Sequence, residues 1–362
     1  MSKVQALLLP LLLSCFLVPW VVADQAPMTA DQVLRLTSLD QHLEELKEGK
    51  IVAIGLSEVE SDTELRVLMG ILVPASLQDT VTVLQQQSNA NGVLMVEEIG
   101  MTASNSQLSA VFDKVSYSEE EIEEVKRLLN VSEGSTFNFS SAEISLIKKR
   151  SEALGKDVSA DREATRAMSS AMADVLKERY LAYREKGLEG LDPYQTGSSE
   201  QANPSRELVL ATESLVTMEK MMPSYYQCLR FFPEQCSPEF HQQLFWAKQI
   251  EGGRPMFSLK HWLIDVQEEF AVITERQFYI NHSLNSLQIV IGCLKHSDGT
   301  LVVLFNQVFT EKVNVALGKG IATTIGRIQV EKKVRPMFEH LRAAFDRKKL
   351  LSTGSPLSKR ED

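Results

Sequence analysis

"VPASLQDTVTVL", residues 73–84, turns from strand to helix with almost no linker between them. An apolar run ends at Val73, Pro74 lacks the amide hydrogen that a strand ladder needs, and Ala75 and Ser76 are small. Ser76 is a candidate N-cap with Asp79 three residues on, which approximates a capping box. Leu77, Val81 and Leu84 then recur at helical spacing and predict one buried side for a helix over 76–87.

Upstream, residues 51–59 and 64–73 are apolar and β-branched, and "ESD" at 60–62 turns between them, so they read as a hairpin. Leu34, Leu36, Leu39, Leu43 and Leu46 predict one amphipathic helix over 28–48, closed by Gly49. Two further strands are expected downstream, at 93–99 and 108–116.

The middle of the chain changes character. "SEEEIEEVKRLLN" at 118–130 opens on carboxylates, which suit the positive end of a helix dipole. "SSAEISLIKKRSEAL" at 140–154 predicts a second helix with Ser141 as its cap. A long helix is expected at 159–186, where Ala164, Ala167, Met168, Ala171, Met172, Val175, Leu176 and Tyr180 make one apolar stripe. "TGSSEQANPS" at 196–205 reads as a polar linker, and 206–222 as a helix stopped by Pro223.

After Pro238 the period becomes two. Strands are expected at 241–251, 256–267, 270–282, 286–296 and 300–310, separated by short turns of which "SDGT" at 297–300 is a strong hairpin signal. Connections this short exclude parallel crossovers, so the strands run antiparallel. Residues 316–334 and 336–350 predict a C-terminal helix kinked or split at Pro336, with Ile321, Ile325, Ile328, Met337, Phe338, Leu341 and Phe345 facing a core.

This order resembles the helix-grip fold of START-type lipid-binding domains and their plant-allergen relatives. In those proteins a proline and small residues open a short helix after the first strand, as Pro74, Ala75 and Ser76 do here. The resemblance covers 51–116 and 240–350, within a domain of 51–116 and 238–350. It implies an α+β fold, a curved antiparallel sheet wrapped on a long C-terminal helix, with 117–237 as a helical insertion and 24–50 as an N-terminal helix. It also implies an apolar gap between sheet and helix that suits a hydrophobic small molecule or lipid. The expected lining is Leu259, Leu263, Val272, Phe278, Ile289, Ile291, Val303 and Phe305, any one of which could equally be dry core. His261 shares a strand face with Phe257, Leu259 and Leu263, and Arg276 shares one with Val272 and Phe278. A buried Arg needs a partner, and two are open: an ion pair with Asp265, or a ligand carboxylate or phosphate.

The ends and the charge set further bounds. Residues 1–23 have an early cation, Lys3, an apolar run and a small-residue exit, and read as a secretory signal cleaved near Ala23. A retained anchor, or a lipoprotein site at Cys15, are the alternatives; Pro10, Pro19 and the exit favour cleavage. Export to a periplasm or beyond makes a disulfide between Cys228 and Cys236 reasonable, against three reduced cysteines. Cys293 lies in an apolar strand and reads as core. The formal net charge is −10, yet residues 312–362 carry twelve Lys/Arg against five Asp/Glu. That balance argues against a nucleic-acid partner. The basic end reads as a solvated helix face, with an anionic membrane surface as the alternative. The tail at 351–362 reads as flexible.

Catalytic motifs are missing. There is no G-x-S-x-G, no HExxH, no P-loop, and no Cys/His cluster at zinc spacing, so neither a metal nor a cofactor is expected. The six histidines, His42, His241, His261, His282, His296 and His340, are scattered. "ERQFYINHS" at 275–283 puts Glu275 and Tyr279 on one strand face and Arg276 and His282 on the other, which weakens an acid–base reading. The expectation is therefore a non-catalytic binder of a hydrophobic molecule. An interaction protein that docks an envelope partner through 117–237 and the basic C-terminal helix ranks second, and an enzyme with its site near Arg276 and His261 third.

Overall fold

The computed structural model describes residues 29–55, 61, 63–89, 96–101, 108–134, 136–154, 161–195, 201–311 and 319–353. The expectations placed on 1–23, and on the tail from 354 onward, lie outside these residues.

The fold is α+β. Its strands are β1 (Val52–Gly55), β2 (Glu64–Val73), β3 (Val96–Met101), β4 (His241–Glu251), β5 (Arg254–Val266), β6 (Phe270–Ile280), β7 (Ser286–His296) and β8 (Gly299–Phe309). Among the described residues they form one antiparallel sheet in the order β1-β2-β8-β7-β6-β5-β4-β3. Short turns fold β4 to β8 into a meander, and β2 closes it by pairing along the whole of β8. The helices are α1 (Ala30–Leu36), α2 (Leu43–Lys47), α3 (Leu77–Asn89), α4 (Leu108–Phe112), α5 (Ile122–Leu129), α6 (Ser141–Ala153), α7 (Asp161–Lys186), α8 (Pro204–Glu213), α9 (Val216–Met221), α10 (Pro223–Phe231) and α11 (Lys319–Thr353).

The turn at 73–76 is held from two sides. The Ser76 hydroxyl accepts from the Asp79 amide at 3.1 Å and donates to the Asp79 carboxylate at 2.9 Å, which starts α3. The β7–β8 turn packs directly on it: Gly299 has φ +136°, and a Cβ there would lie 2.1 Å from the Val73 carbonyl oxygen. Only glycine allows that approach. Thr300 then donates its hydroxyl to the Ala75 carbonyl at 2.8 Å.

Both faces of the sheet are covered. On one, Leu65, Val67, Met69, Ile71 and Val73 of β2 pack with Leu77, Val81 and Leu84 of α3 and with Val330, Val334, Phe338, Leu341 and Phe345 of α11. Lys333 of α11 also pairs with Glu251, at the far end of β4, at 2.6 and 2.7 Å. On the other face, Leu68 and Leu72 meet α1 and the segment after it, and β4 to β7 meet α7 and α10. This double burial explains why β2 is buried at every position instead of alternating.

Five sequence expectations are corrected. Residues 108–116 hold a helix rather than a strand. Leu108 and Phe112 lie four apart on one helical face, the Phe112 ring meets Tyr180 of α7 at 5.5 Å, and Trp246 donates to the Val111 carbonyl at 3.0 Å. The helix expected across 24–50 is broken, because Ser38 takes φ +59°. That break drops Leu39 onto Gly70, where a Cβ would stand 2.8 Å from the leucine methyl. The helix expected at 206–222 divides at Ser214–Leu215 into α8 and α9. The cap of α6 is Ser140, not Ser141, and accepts from the Glu143 amide at 3.4 Å. α11 runs through Pro336 without splitting.

Phe338 is wholly buried between α11 and the sheet. Phe338→Ala is expected to lower the unfolding free energy by about 3–5 kcal/mol, read from urea denaturation. A loss under about 1 kcal/mol would mean that α11 does not seal this face.

Candidate functional site

On the face away from α11, the register sets five polar residues in one row across five strands. Arg66 stands opposite Gln307, Gln307 opposite Gln288, Gln288 opposite Arg276, and Arg276 opposite His261. All five are buried. The Arg276 guanidinium, only 1% exposed, has no carboxylate among its hydrogen-bond partners. It donates to Gln288 Oε1 at 2.9 and 3.1 Å, to the Thr212 hydroxyl of α8 at 2.9 Å and to the Tyr183 hydroxyl of α7 at 3.4 Å. Tyr183 also meets His261 Nδ1 at 2.9 Å. At the other end, Arg66 is held by Glu64, with one contact of 3.1 Å from Nη2 to Oε2. Gln307 donates to Glu64 at 3.1 Å and to the Ser214 hydroxyl at 2.9 Å.

Beside this row the same face becomes apolar. Leu68, Phe305, Val290 and then Val303, Gly292 and Val272 floor a cleft of about 410 Å³. Its walls are Val33, Leu36 and Thr37 of the α1 segment on one side, and Ser214, Leu215, Val216, Met218 and Met222 of the α9 segment on the other. Of the polar row, Arg66 lines the cleft, and Ser214, which accepts from Gln307, stands in its wall. Gly292 keeps the floor low: a Cβ there would meet nothing nearer than 3.7 Å. Leu36 is 60% exposed and Val216 50%, so both walls present apolar side chains to solvent. Among the described residues no His, Cys, Asp or Glu lines the cleft.

The residues expected to line one gap lie on two faces. Leu259, Leu263, Val272, Phe278, Val303, Phe305, His261 and Arg276 lie opposite the α11 face, while Ile289 and Ile291 pack on the α11 side. Of these, only Val272, Val303 and Phe305 reach the cleft. Leu259 and Phe278 pack against α7 and its neighbours, and Leu263 against α10. Strand parity was also disturbed by a bulge: Leu259 pairs with Tyr279 but Lys260 with Gln277, and Phe278 and Tyr279 both join the α7 cluster. Asp265 does not pair with Arg276; it accepts from Gln267 at 2.6 Å. Glu275 pairs instead with Lys260 at 3.0 Å and accepts from Trp262 at 2.7 Å. Cys228 and Cys236 are disulfide-bonded, and Cys293 is buried and free.

Sequence reading missed the α1 and α9 walls and the two glutamines. Met218 and Met222, four apart, were the available signal for an apolar face in α9.

His261 is neutral here. Burial, and then the Arg276 charge, push its imidazole from 6.5 down to about 3. Such a residue suits neither a general base nor an acid near neutral pH. Nearby, Glu207 of α8 accepts from Asn285 at 2.8 Å and Ser286 at 2.6 Å, and burial pushes its carboxyl up to about 7. No protein-family model matches the chain, and no curated protein matches it. Among solved structures, the chain is similar to Ara h 8.0201 at 12% identity and a TM-score of 0.20, over 29% of this chain and 66% of that one. A likeness this slight carries no weight for function.

The two shifted groups oppose one another. A depressed histidine leaves the unfolded chain with more bound protons between pH 6.5 and about 3, so His261 removes stability as pH falls through that window. A raised carboxyl leaves the folded chain with more protons, so Glu207 removes stability as pH rises from 4.5 to about 7. His261→Gln should therefore lose less stability than the parent on acidification from pH 6.5 to 4, by denaturant titration at each pH. Parallel curves would place His261 in contact with solvent.

Proposed function

We propose that the protein binds a hydrophobic small molecule or lipid, without chemistry, in the cleft between the α1 and α9 segments. The observation that carries this reading is the cleft itself: an apolar floor with room above Gly292, about 410 Å³ in volume, within the range of small-molecule sites. The exposed Leu36 and Val216 at its walls gain burial when a ligand fills it. The ionisable residue in its lining, Arg66, is committed to Glu64, which leaves binding as the supported role. The helix-grip-like arrangement belongs to this proposal, with the binding site on the sheet face opposite α11. Export also belongs to it, and the Cys228–Cys236 disulfide suits an oxidising compartment.

Gly292→Leu tests the reading. A side chain there fills the floor without a backbone clash. A solvatochromic naphthylamine dye should bind the parent with a blue-shifted emission, and the variant about tenfold or more weakly, at an unchanged melting temperature. Equal dye affinity in both proteins would remove the cleft as the site.

A further inference from the structure

Gln288 and Gln307 have amide orientations that their partners dictate. Gln288 must turn Oε1 toward the Arg276 guanidinium, which has only donors. Gln307 must turn Nε2 toward the Glu64 carboxylate, which accepts. Arg276 lies on the β6 side of the glutamine pair and Glu64 on the β2 side. The remaining atoms, Gln288 Nε2 and Gln307 Oε1, belong to residues directly opposed on β7 and β8. Both are buried, and neither has a hydrogen-bond partner among the described residues. Directly opposed residues hold their Cβ atoms about 4.5–5.5 Å apart; neither glutamine lines the cleft, so a small group that bridges both parts the two side chains as it enters. One atom needs an acceptor and the other a donor, and leaving either unmade costs about 1–3 kcal/mol.

The pair stands next to the cleft. Val290 and Phe305, two residues along β7 and β8 on the same face, are its floor, and Ser214, which accepts from Gln307, is in its wall. The geometry points to a ligand with an apolar body and one uncharged hydroxyl, which accepts from Gln288 Nε2 and donates to Gln307 Oε1. This rests on the cleft being the binding site. A carboxylate has no hydrogen to give Gln307 and would face the buried Glu64; an ammonium has no lone pair for Gln288. An ether accepts but cannot donate.

Decanol, decyl methyl ether and decanoate should be compared as competitors of the naphthylamine dye on the full protein. Decanol is expected to bind about tenfold or more tightly than either of the others. In Gln307→Met that advantage should fall within about twofold. If the variant does not fold, the parent series alone decides. Equal binding by all three in the parent, with Gly292→Leu weakening all three, overturns hydroxyl recognition but keeps the cleft as an apolar site; a retained water or a direct amide–amide bond would produce that result. Failure of the dye and every competitor to bind the parent overturns the binding proposal as well.

Discussion

A guanidinium buried with no carboxylate partner among the described residues is costly unless its donors are largely met, and Arg276 spends four hydrogen bonds on three elements at once. Gln288 comes from the neighbouring strand, Thr212 from α8 and Tyr183 from α7. Removing the helices would strand the charge, so the helical block cannot leave the sheet without a large penalty. The same contacts fix where α8 ends. Ser214, which receives Gln307, is the C-cap of α8, and α9 starts immediately beyond it. The wall of the cleft is therefore placed by the polar row beside it.

That constraint also divides the face. Along β6, β7 and β8 the same side of the sheet is polar at Arg276, Gln288 and Gln307, then apolar at Val272, Val290, Gly292, Val303 and Phe305. Packing on the polar part is closed by hydrogen bonds, which are directional and leave little freedom. On the apolar part, α1 and α9 stand to either side and leave a cleft between them above the floor. The α11 side is closed by interdigitated aliphatic and aromatic side chains.

Much of this was legible in the residues and some was not, for physical reasons. The 73–76 turn and the 297–300 hairpin announce themselves because proline, glycine and a capping serine each answer a local backbone need. The antiparallel meander follows from turn length alone. The choice of face does not, since strands buried on both sides lose the alternation that tells inside from outside. Ile289 and Ile291 were grouped with Leu259 and Leu263 for that reason, and lie on the opposite side of the sheet. The partners of Arg276 are distant in sequence, at 183, 212 and 288, so Asp265 was the nearer and mistaken choice. The helix at 108–112 owes its form to Tyr180 and Trp246, which no local window contains.

The central claim is that the ligand-accepting apolar cleft of the described residues lies on the helical-block face, beside the polar row. Anomalous diffraction from crystals soaked with a medium-chain alcohol bearing a terminal bromine tests it directly. The expected bromine peak lies over Gly292, between Val272 and Val303, with the oxygen end toward Gln288 and Gln307. A peak between α11 and β2, or well-diffracting soaked crystals with no peak in the cleft, would contradict the account.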